Sequence, residues 1–348
     1  MKEIIQRISQ EMVSHTKLFA EKPLSPIRTD SKVFPFKLSN FNNVRLDNSI
    51  KEITFIDGGS YEIVSSNSFS IYIIRVAGVT YKENVKQFFK IRNFFVLIKS
   101  EYQDELIYTA KIFPIEDSSN HEIIKFNASD STLREGVNNG ELSKIGSVVR
   151  RFFELKFAKE YVKNVSERSI LILDGSLQCT YTGEQKYMND LLKNLKLKEI
   201  LLMSIAKTNS LSTDTGASVE SVLKNISNEL PNGYNMWFYH PLIKLDSEDY
   251  SADIMMAKLH KRSKHIFKVE ISNKFNLVNY SKIFGCLAIN SADPVFLGYP
   301  FGLVKADELA RIDKENASYL RMRFLKNIDD VNFESSKNAH SILDSIRF

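Results

Sequence analysis

The sequence predicts an α/β fold, in which an antiparallel meander and parallel strands form one mixed sheet flanked by helices. The first observation is a pair of predicted strands that each end in an aspartate before a glycine, at Asp57 and at Asp174. The run Ile-Leu-Ile-Leu before Asp174 is typical of a strand buried on both faces, as parallel strands are. The second observation is the abundance of Ile, Val, Tyr and Phe in 68–80 and 93–114, which predicts the successive strands of a meander.

The first third of the chain is predicted to hold a helix, an arm and this meander. Apolar residues at helical spacing predict a helix over 2–20, and prolines predict an irregular arm over 23–48. A strand that ends at Asp57 then begins the meander, whose strands are joined by short connections. The polar stretch 116–140 predicts a loop.

Helices and strands alternate in the remainder of the chain. The order β-β-β-α-β-α-β, followed by further helices and strands, is that of a ribonuclease H-like domain, whose first meander strand also pairs with parallel strands. We therefore divide the chain into an N-terminal helix and arm (1–48), a ribonuclease H-like domain (49–330) and a C-terminal helix (331–348). Helices are predicted over 143–164, 184–195, 218–229, 277–290, 301–325 and 335–346, and strands up to Asp174 and over 199–205, 253–259 and 265–270.

Composition and charge restrict the function classes. A net charge of +5 and a pI near 8.9 are a mild bias towards polyanions, compatible with nucleic acid. Two cysteines without a CxxC pair argue against a structural zinc site and against a disulfide scaffold. The first 22 residues lack a continuous apolar stretch, and no apolar run is long enough to span a bilayer. We therefore expect a cytoplasmic protein without a membrane partner.

The two strand-end aspartates are the leading candidates for a metal site. Each glycine after them lets the backbone turn sharply and lets a ligand approach closely. Asp57 and Asp174 could meet across neighbouring strands and hold a hard divalent cation through carboxylate oxygens. The alternative for each is an aspartate that only forms a turn. This pattern favours a metal-dependent enzyme that cleaves phosphodiester bonds.

Six segments in order along the chain resemble the NurA nucleases, DNA-end-processing partners of HerA-type hexameric ATPases. Each segment alone is common, and their order with the intervening elements carries the resemblance. The segments are IDGG (56–59), RRFFE (150–154), LDGSL (173–177), SIAKT (204–208), AKLH (257–260) and GYP (298–300) followed by AD (306–307).

The resemblance implies a ribonuclease H-like deoxyribonuclease that uses Mn²⁺ or Mg²⁺. It implies a 5′–3′ exonuclease with single-strand endonuclease activity, which acts in DNA end processing as a homodimer docked on a HerA-like hexameric ATPase. Residues 1–48 lie outside the matched core and are expected to be a docking element. One alternative is a catalytically weak subunit that clamps DNA on the translocase. Another is a ribonuclease or an Argonaute-like nuclease on the same fold.

A third acid is expected from the helix over 143–164. Glu154 lies in an otherwise apolar stretch of it, so a helix packed on the sheet could direct this carboxylate at the two aspartates. Glu135 and Glu160 are the rival candidates. The alternative for Glu154 is a solvent-facing side chain paired with Arg150 at i,i+4 spacing.

The matched segments supply three further candidates. Lys207 closes a buried strand and is expected to contact the substrate phosphate, or else to extend from the strand end into solvent. Tyr299 is expected to position the phosphate or a metal ligand, or else to be a packed aromatic. Asp307 stands where the family usually has histidine, eight residues after this tyrosine, and is expected to bind metal. Its alternative is an ion pair with Arg311.

These residues predict hydrolysis by a two-metal mechanism. Asp57, Glu154, Asp174 and Asp307 would hold two Mn²⁺ or Mg²⁺ ions about 3.5–4 Å apart, and Lys207 would offset phosphate charge. The basic hairpin at 258–265 is expected to contact DNA, although its charges would equally protect an exposed sheet edge. The predicted DNA-contacting residues are Lys207, Lys258, Lys261, Arg262, Lys264 and Lys268, the last standing where the family would have arginine.

Overall fold

The computed structural model describes residues 1–18, 25–26, 31–50, 52–66, 68–116, 121–134, 140–208, 210–247, 250–274 and 279–327. Its helices are α1 (Lys2–Leu18), α2 (Leu142–Tyr161), α3 (Glu184–Leu197), α4 (Val219–Ile226), α5 (Tyr280–Asn290), α6 (Phe301–Ala310) and α7 (Lys314–Lys326). Its strands are β1 (Lys32–Val33), β2 (Phe41–Asn43), β3 (Ile53–Ser65), β4 (Phe69–Lys82), β5 (Val85–Gln103), β6 (Glu105–Pro114), β7 (Glu122–Asn127), β8 (Ile170–Asp174), β9 (Leu201–Ala206), β10 (Trp237–Asp246), β11 (Ser251–Lys258) and β12 (Phe267–Ser272). Among these helices none is long and apolar enough to cross a membrane.

All of these strands belong to one mixed sheet. The strand order is β1-β10-β11-β12-β9-β8-β3-β4-β5-β6-β7, and β2 also pairs with β10. The β3–β8 and β8–β9 pairs are parallel, and the meander from β3 to β7 is antiparallel. A second antiparallel group, β10 to β12, joins the sheet at β9. The predicted α/β fold, a ribonuclease H-like mixed sheet of meander and parallel strands flanked by helices, is confirmed.

The meander is longer than predicted. The prediction that a strand ends at Asp57 is wrong, because the antiparallel β3–β4 ladder continues beyond this residue. Only the parallel pairing with β8 stops beforehand, at Ile56 opposite Leu173. The stretch 93–114 lies in two strands, since Asp104 reverses the chain with a φ of 63° where the sequence offers no glycine or proline. β7 lies in the stretch that was predicted to be a loop.

Three further differences lie outside the meander. The helix predicted over 301–325 is two helices, because the side chain of Asp313 caps the start of α7 by accepting from the backbone N–H of Glu315. The sequence did not predict β10, and the arm at 23–48 contributes β1 and β2 to its edge. The helix predicted over 335–346 lies outside the described residues. The other predicted helices and strands agree with the structure within a few residues.

Helices cover both faces of the sheet, and the strand alternation decides which face each site residue uses. One core contains α2, α3 and Ile56, and the other contains α5, α6 and the β3 residues Ile53 and Phe55. Successive side chains of a strand point to opposite faces. Asp57 therefore lies on the α6 face, and Gly58 lies on the α2 face.

Candidate active site

The first site residues come together where the parallel pairing among β3, β8 and β9 ends. Asp57 and Asp174 directly follow the last parallel pair, Ile56 and Leu173, so they lie at the same level on adjacent strands. Lys207 comes one residue after β9, which is the next parallel strand. Groups at such an edge are well placed to act on one ligand. The predicted proximity of Asp57 to Asp174 is thus present in the structure.

The two glycines after Asp57 let two helices approach the strand from opposite faces. A Cβ on Gly58 would stand 2.6 Å from Oε1 of Glu154, which belongs to α2. A Cβ on Gly59 would stand 2.3 Å from the carbonyl oxygen of Ala310, the last residue of α6. The absent side chains therefore make room for Glu154 and for the end of the helix that carries Asp307.

We expect Gly59→Ala to destabilise the fold more than Gly58→Ala. The new methyl of Gly59→Ala meets the backbone of Ala310, which can only move with α6, whereas that of Gly58→Ala meets the side chain of Glu154. Overpacking of this kind costs about 1–3 kcal/mol. Urea unfolding of both variants measures the difference in the free energy of unfolding. Equal losses would mean that α6 does not depend on close contact with this strand.

Glu154 is the third acid that the described residues bring to the site. It is 5% exposed and forms ion pairs with Arg150 and, at 3.5 Å, with Arg151. The alternative interpretation is therefore half right, since the i,i+4 pair with Arg150 exists although the carboxylate is buried. Of its rivals, Glu160 is exposed and lines a groove on the other side of α2, and Glu135 lies outside the described residues.

The carboxylates at this edge disfavour each other's charge. Burial raises the pKa of Asp57 to about 7, and the neighbouring carboxylates of Glu154 and Asp174 contribute to the increase. Burial also raises the pKa of Glu154, although the guanidinium groups of Arg150 and Arg151 oppose the shift. A cation bound among these oxygens would relieve both effects.

Lys207 links two of the acids. Its Nζ lies 3.1 Å from Oδ2 of Asp174 and 3.2 Å from Oδ1 of Asp307. Burial opposes its charge, but the two carboxylates outweigh burial and raise the pKa of Lys207. Asp307 also pairs with Arg311 at 2.7 Å, as its alternative interpretation predicted. The structure therefore places Lys207 and Asp307 at the site, each with a charged partner.

Tyr299 joins the site from a tight turn. Its Oη donates a hydrogen bond to Oδ1 of Asp174 at 3.1 Å, and its buried ring packs on Phe267 at 5.1 Å between centroids. The preceding Gly298 has a φ of +91°, and a Cβ there would stand 2.5 Å from Oγ of Ser263. Tyr299 is therefore both a packed aromatic and a hydrogen-bond partner of a candidate metal ligand.

The donor chemistry of the site suits a hard divalent cation. Carboxylate oxygens are the ligands that Mg²⁺ and Mn²⁺ prefer, and Asp57, Glu154, Asp174 and Asp307 supply them. Within the described residues, however, no three His, Cys, Asp or Glu side chains are grouped closely enough to hold a metal ion. Lys207 lies between Asp174 and Asp307 instead. The charge that these acids require is supplied here by basic side chains.

The turn between β11 and β12, together with the end of β11, carries four of the six predicted DNA-contacting residues. Its buried Ser263 lies against Gly298, so the turn lies beside the segment that holds Tyr299. Lys268 differs, because its side chain is 14% exposed and pairs with Glu270 at 2.7 Å. The predicted residues on or beside the turn are Lys258, Lys261, Arg262 and Lys264.

Three residues that support the site, Arg151, Glu184 and Glu270, were not predicted from the sequence. Arg151 pairs with Glu154 and with the buried Glu184, and Glu270 accepts hydrogen bonds from the segment after Asp174. Burial opposes the charge of Glu270, but Lys268 and hydrogen-bond donors lower its pKa below the ordinary value. The doubled arginine in 150–154 was a usable signal for Arg151. Glu270 gave none, since polar residues that alternate with apolar ones usually face solvent.

Comparison with known proteins decides the family. The sequence profile of the NurA domain matches residues 51–312. The chain belongs to the NurA family. The resemblance found in the six segments is thereby confirmed, and the activity class of the family is that of a nuclease. No curated protein matches the NurA-family chain in sequence.

Solved structures agree with this assignment at the level of the fold. A crystal structure of NurA superposes with a TM-score of 0.54 and 10% sequence identity, covering 95% of this chain and 99% of that one. An endonuclease V of Ciona intestinalis bound to DNA with an inosine gives a TM-score of 0.38 at 13% identity, covering 77% of this chain and 90% of that one. The first likeness shows the NurA fold, and the second is too weak to add a conclusion.

Proposed function

We propose that this NurA-family chain is a deoxyribonuclease that hydrolyses phosphodiester bonds with Mn²⁺ or Mg²⁺. The observation that carries the proposal is the placement of Asp57, Asp174 and Glu154 where the parallel pairing of β3 with β8 stops, and where the pKa of Asp57 is raised to about 7. Asp57 and Glu154 are buried and Asp174 is half-buried, and such a set of carboxylates that disfavour each other's charge is costly to maintain without a cation. Perturbed acids in this position are typical of functional sites.

The chain's own residues then have distinct roles. Asp57, Glu154, Asp174 and Asp307 would hold the metal, and two bound ions would supply an activated water and charge stabilisation for the leaving 3′ oxygen. Tyr299 orients Asp174 through the hydrogen bond to Oδ1. Lys207 would exchange its carboxylate partners for a phosphate oxygen of the substrate.

The substrate path is proposed along the basic turn between β11 and β12. Lys261, Arg262 and Lys264 are exposed there, and Ser263 lies against Gly298, next to Tyr299. Lysine and arginine on such a turn contact phosphates without reading sequence. DNA held there would reach the acids over a short distance. Lys268 contributes less directly, since it pairs with Glu270.

Further features of the proposal come from the family. They are 5′–3′ exonuclease and single-strand endonuclease activity in DNA end processing, a homodimer, and a HerA-like hexameric ATPase as partner. Helix α1 supports a docking role for residues 1–48, because four large apolar side chains in its first eleven residues, Ile4, Ile5, Ile8 and Met12, are exposed. Contiguous exposed apolar side chains are typical of protein-binding surfaces. We take 49–330 as the nuclease domain.

The competing function is a DNA-clamping subunit with little or no catalysis. The basic partners of the acids favour it, since Lys207, Arg150, Arg151 and Arg311 neutralise the carboxylates without a metal ion. It also accommodates the aspartate at 307, where the family usually has histidine. The two functions differ in whether DNA that is bound is also cut.

A cleavage assay separates these two functions. We expect the protein to degrade end-labelled linear duplex and single-stranded DNA with Mn²⁺ or Mg²⁺, and to leave them intact in EDTA. Labels on either end report the polarity, and a covalently closed circle tests whether a free end is needed. Retention of DNA in a gel without loss of its length, with every metal tried, would support the clamp and contradict the nuclease.

A further inference from the structure

The segment 175–183, which follows Asp174, is held from beneath by a buried carboxylate. Glu270 on β12 is 0% exposed, and its Oε2 accepts from the backbone N–H of Leu177 at 2.7 Å. Both of its carboxylate oxygens lie 3.0 Å from the donating Oγ of Ser176. The backbone immediately after Asp174 is thus fixed by one side chain from a different strand.

An ion pair and a hydrogen bond stabilise the negative charge of Glu270. Lys268, two residues before it on the same strand face, donates to Oε1 at 2.7 Å, and the hydroxyl of Tyr250 donates to Oε2. Burying a charged carboxylate costs free energy, and proteins tolerate this cost where the carboxylate is ion-paired and fully hydrogen-bonded. Hydrogen bonds to an ionised acceptor are about twice as strong as neutral ones.

Arg151 holds the same segment from the side of α2. Its Nη2 donates to the carbonyl oxygen of Ser176 at 2.8 Å, and its Nε pairs with Glu184 at 2.8 Å. Its Nη1 lies 3.5 Å from Oε2 of Glu154. Ser176 is therefore hydrogen-bonded from two sides, by Glu270 of the sheet and by Arg151 of α2, the helix that also carries Glu154.

We propose that Glu270 is a positioning residue, which fixes the turn after Asp174 through Ser176 and Leu177 and so sets the place of Asp174 relative to Glu154. The inference rests on the proposed metal-dependent function of these two acids. Glu270 itself touches neither substrate nor metal, since it is fully buried beneath the turn. Its effect is on how well the acids are arranged to receive a cation.

The test compares Glu270→Gln with the double variant Lys268→Met/Glu270→Gln. Glutamine keeps the size of glutamate but offers one acceptor oxygen, so it cannot serve Leu177, Ser176 and Tyr250 together. Mn²⁺ affinity measured by calorimetry should weaken about 10–100-fold in Glu270→Gln, as for other groups that orient metal ligands. kcat should fall and the KM for DNA should stay unchanged, because the residue lies away from the DNA surface.

The double variant separates positioning from simple stability. Removing Lys268 along with the charge of Glu270 leaves no unpaired buried cation, so the melting temperature should recover towards that of the wild type. The Mn²⁺ affinity should stay weak. Wild-type affinity in Glu270→Gln, or affinity that recovers together with the melting temperature, would overturn the positioning role while leaving the nuclease intact. A wild-type protein that binds no Mn²⁺ and cuts no DNA would overturn both proposals.

Discussion

Asp57→Asn should abolish Mn²⁺-dependent cleavage of DNA while leaving the fold intact. Asparagine keeps the shape and still accepts the hydrogen bond from the backbone N–H of Gly58, which is 2.7 Å from Oδ1 of Asp57. It removes the negative charge that a cation needs. Metal ions supply several kcal/mol of transition-state stabilisation, and about 1.4 kcal/mol is tenfold in rate, so we expect a loss of about a thousandfold or more.

The same substitution should stabilise the metal-free protein at pH 8. Burial raises the pKa of Asp57 from its ordinary 3.8 to about 7, with a further contribution from Glu154 and Asp174. The folded protein therefore holds more protons than the unfolded chain between these values, and its free energy of unfolding falls as the pH rises through that window. Asn carries no charge and removes this loss, so the melting temperature of Asp57→Asn should exceed that of the wild type at pH 8 and match it more closely near pH 4.

The control for Asp57→Asn is Asp104→Asn, which makes the same chemical change in the exposed turn between β5 and β6. We expect wild-type cleavage from it, and the same Mn²⁺-induced rise in melting temperature as the wild type. That rise should be absent from Asp57→Asn. Full Mn²⁺-dependent activity in Asp57→Asn would exclude Asp57 from the metal site and with it the proposed mechanism.

The sequence predicted the fold well because its decisive elements are strongly patterned. The apolar run before Asp174 and the long β-rich stretches identify parallel and antiparallel strands by local composition alone. The predictions that failed, the end of β3 and the missing β10, concern features that depend on partner strands elsewhere in the chain. β3 runs through Asp57 because β4 continues to pair with it, and β10 contains Pro241 yet gains strand neighbours on both edges. The residues of a strand do not by themselves predict how long its ladder is or whether a partner strand is present.

The site residues with a local sequence signal were likewise predicted, and those that depend on distant partners were not. Asp57 and Asp174 were predicted because an aspartate directly after an apolar run and before glycine is a local signal. Glu154 was selected over its rivals from its apolar surroundings, and the reason that it lies against the strand of Asp57, the space left by Gly58, is visible only in three dimensions. Glu270 could not be found, since its partners Ser176 and Leu177 are distant in sequence.

Lys207→Met should separate metal binding from catalysis. The ammonium group of Lys207 lies between Asp174 and Asp307, so it competes with a cation for the same carboxylate oxygens. Methionine fills similar space without charge, and we expect the Mn²⁺ affinity to rise several-fold in calorimetric titrations. kcat should nevertheless fall about 10–100-fold, because a lysine that offsets phosphate charge in the transition state contributes roughly 1.4–3 kcal/mol at such a site.

Opposite movements of affinity and rate are the decisive feature of the Lys207→Met result. A purely structural ion pair would lower both, since the acids would lose their arrangement along with their partner. Lys305→Met is the matched control, because Lys305 lies on α6 and pairs only with Glu308 among the ion pairs of the described residues. It should leave Mn²⁺ affinity and kcat unchanged. A fall in Mn²⁺ affinity in Lys207→Met would show that this lysine holds the acids together for the metal, and the proposed exchange of carboxylate for phosphate would be wrong.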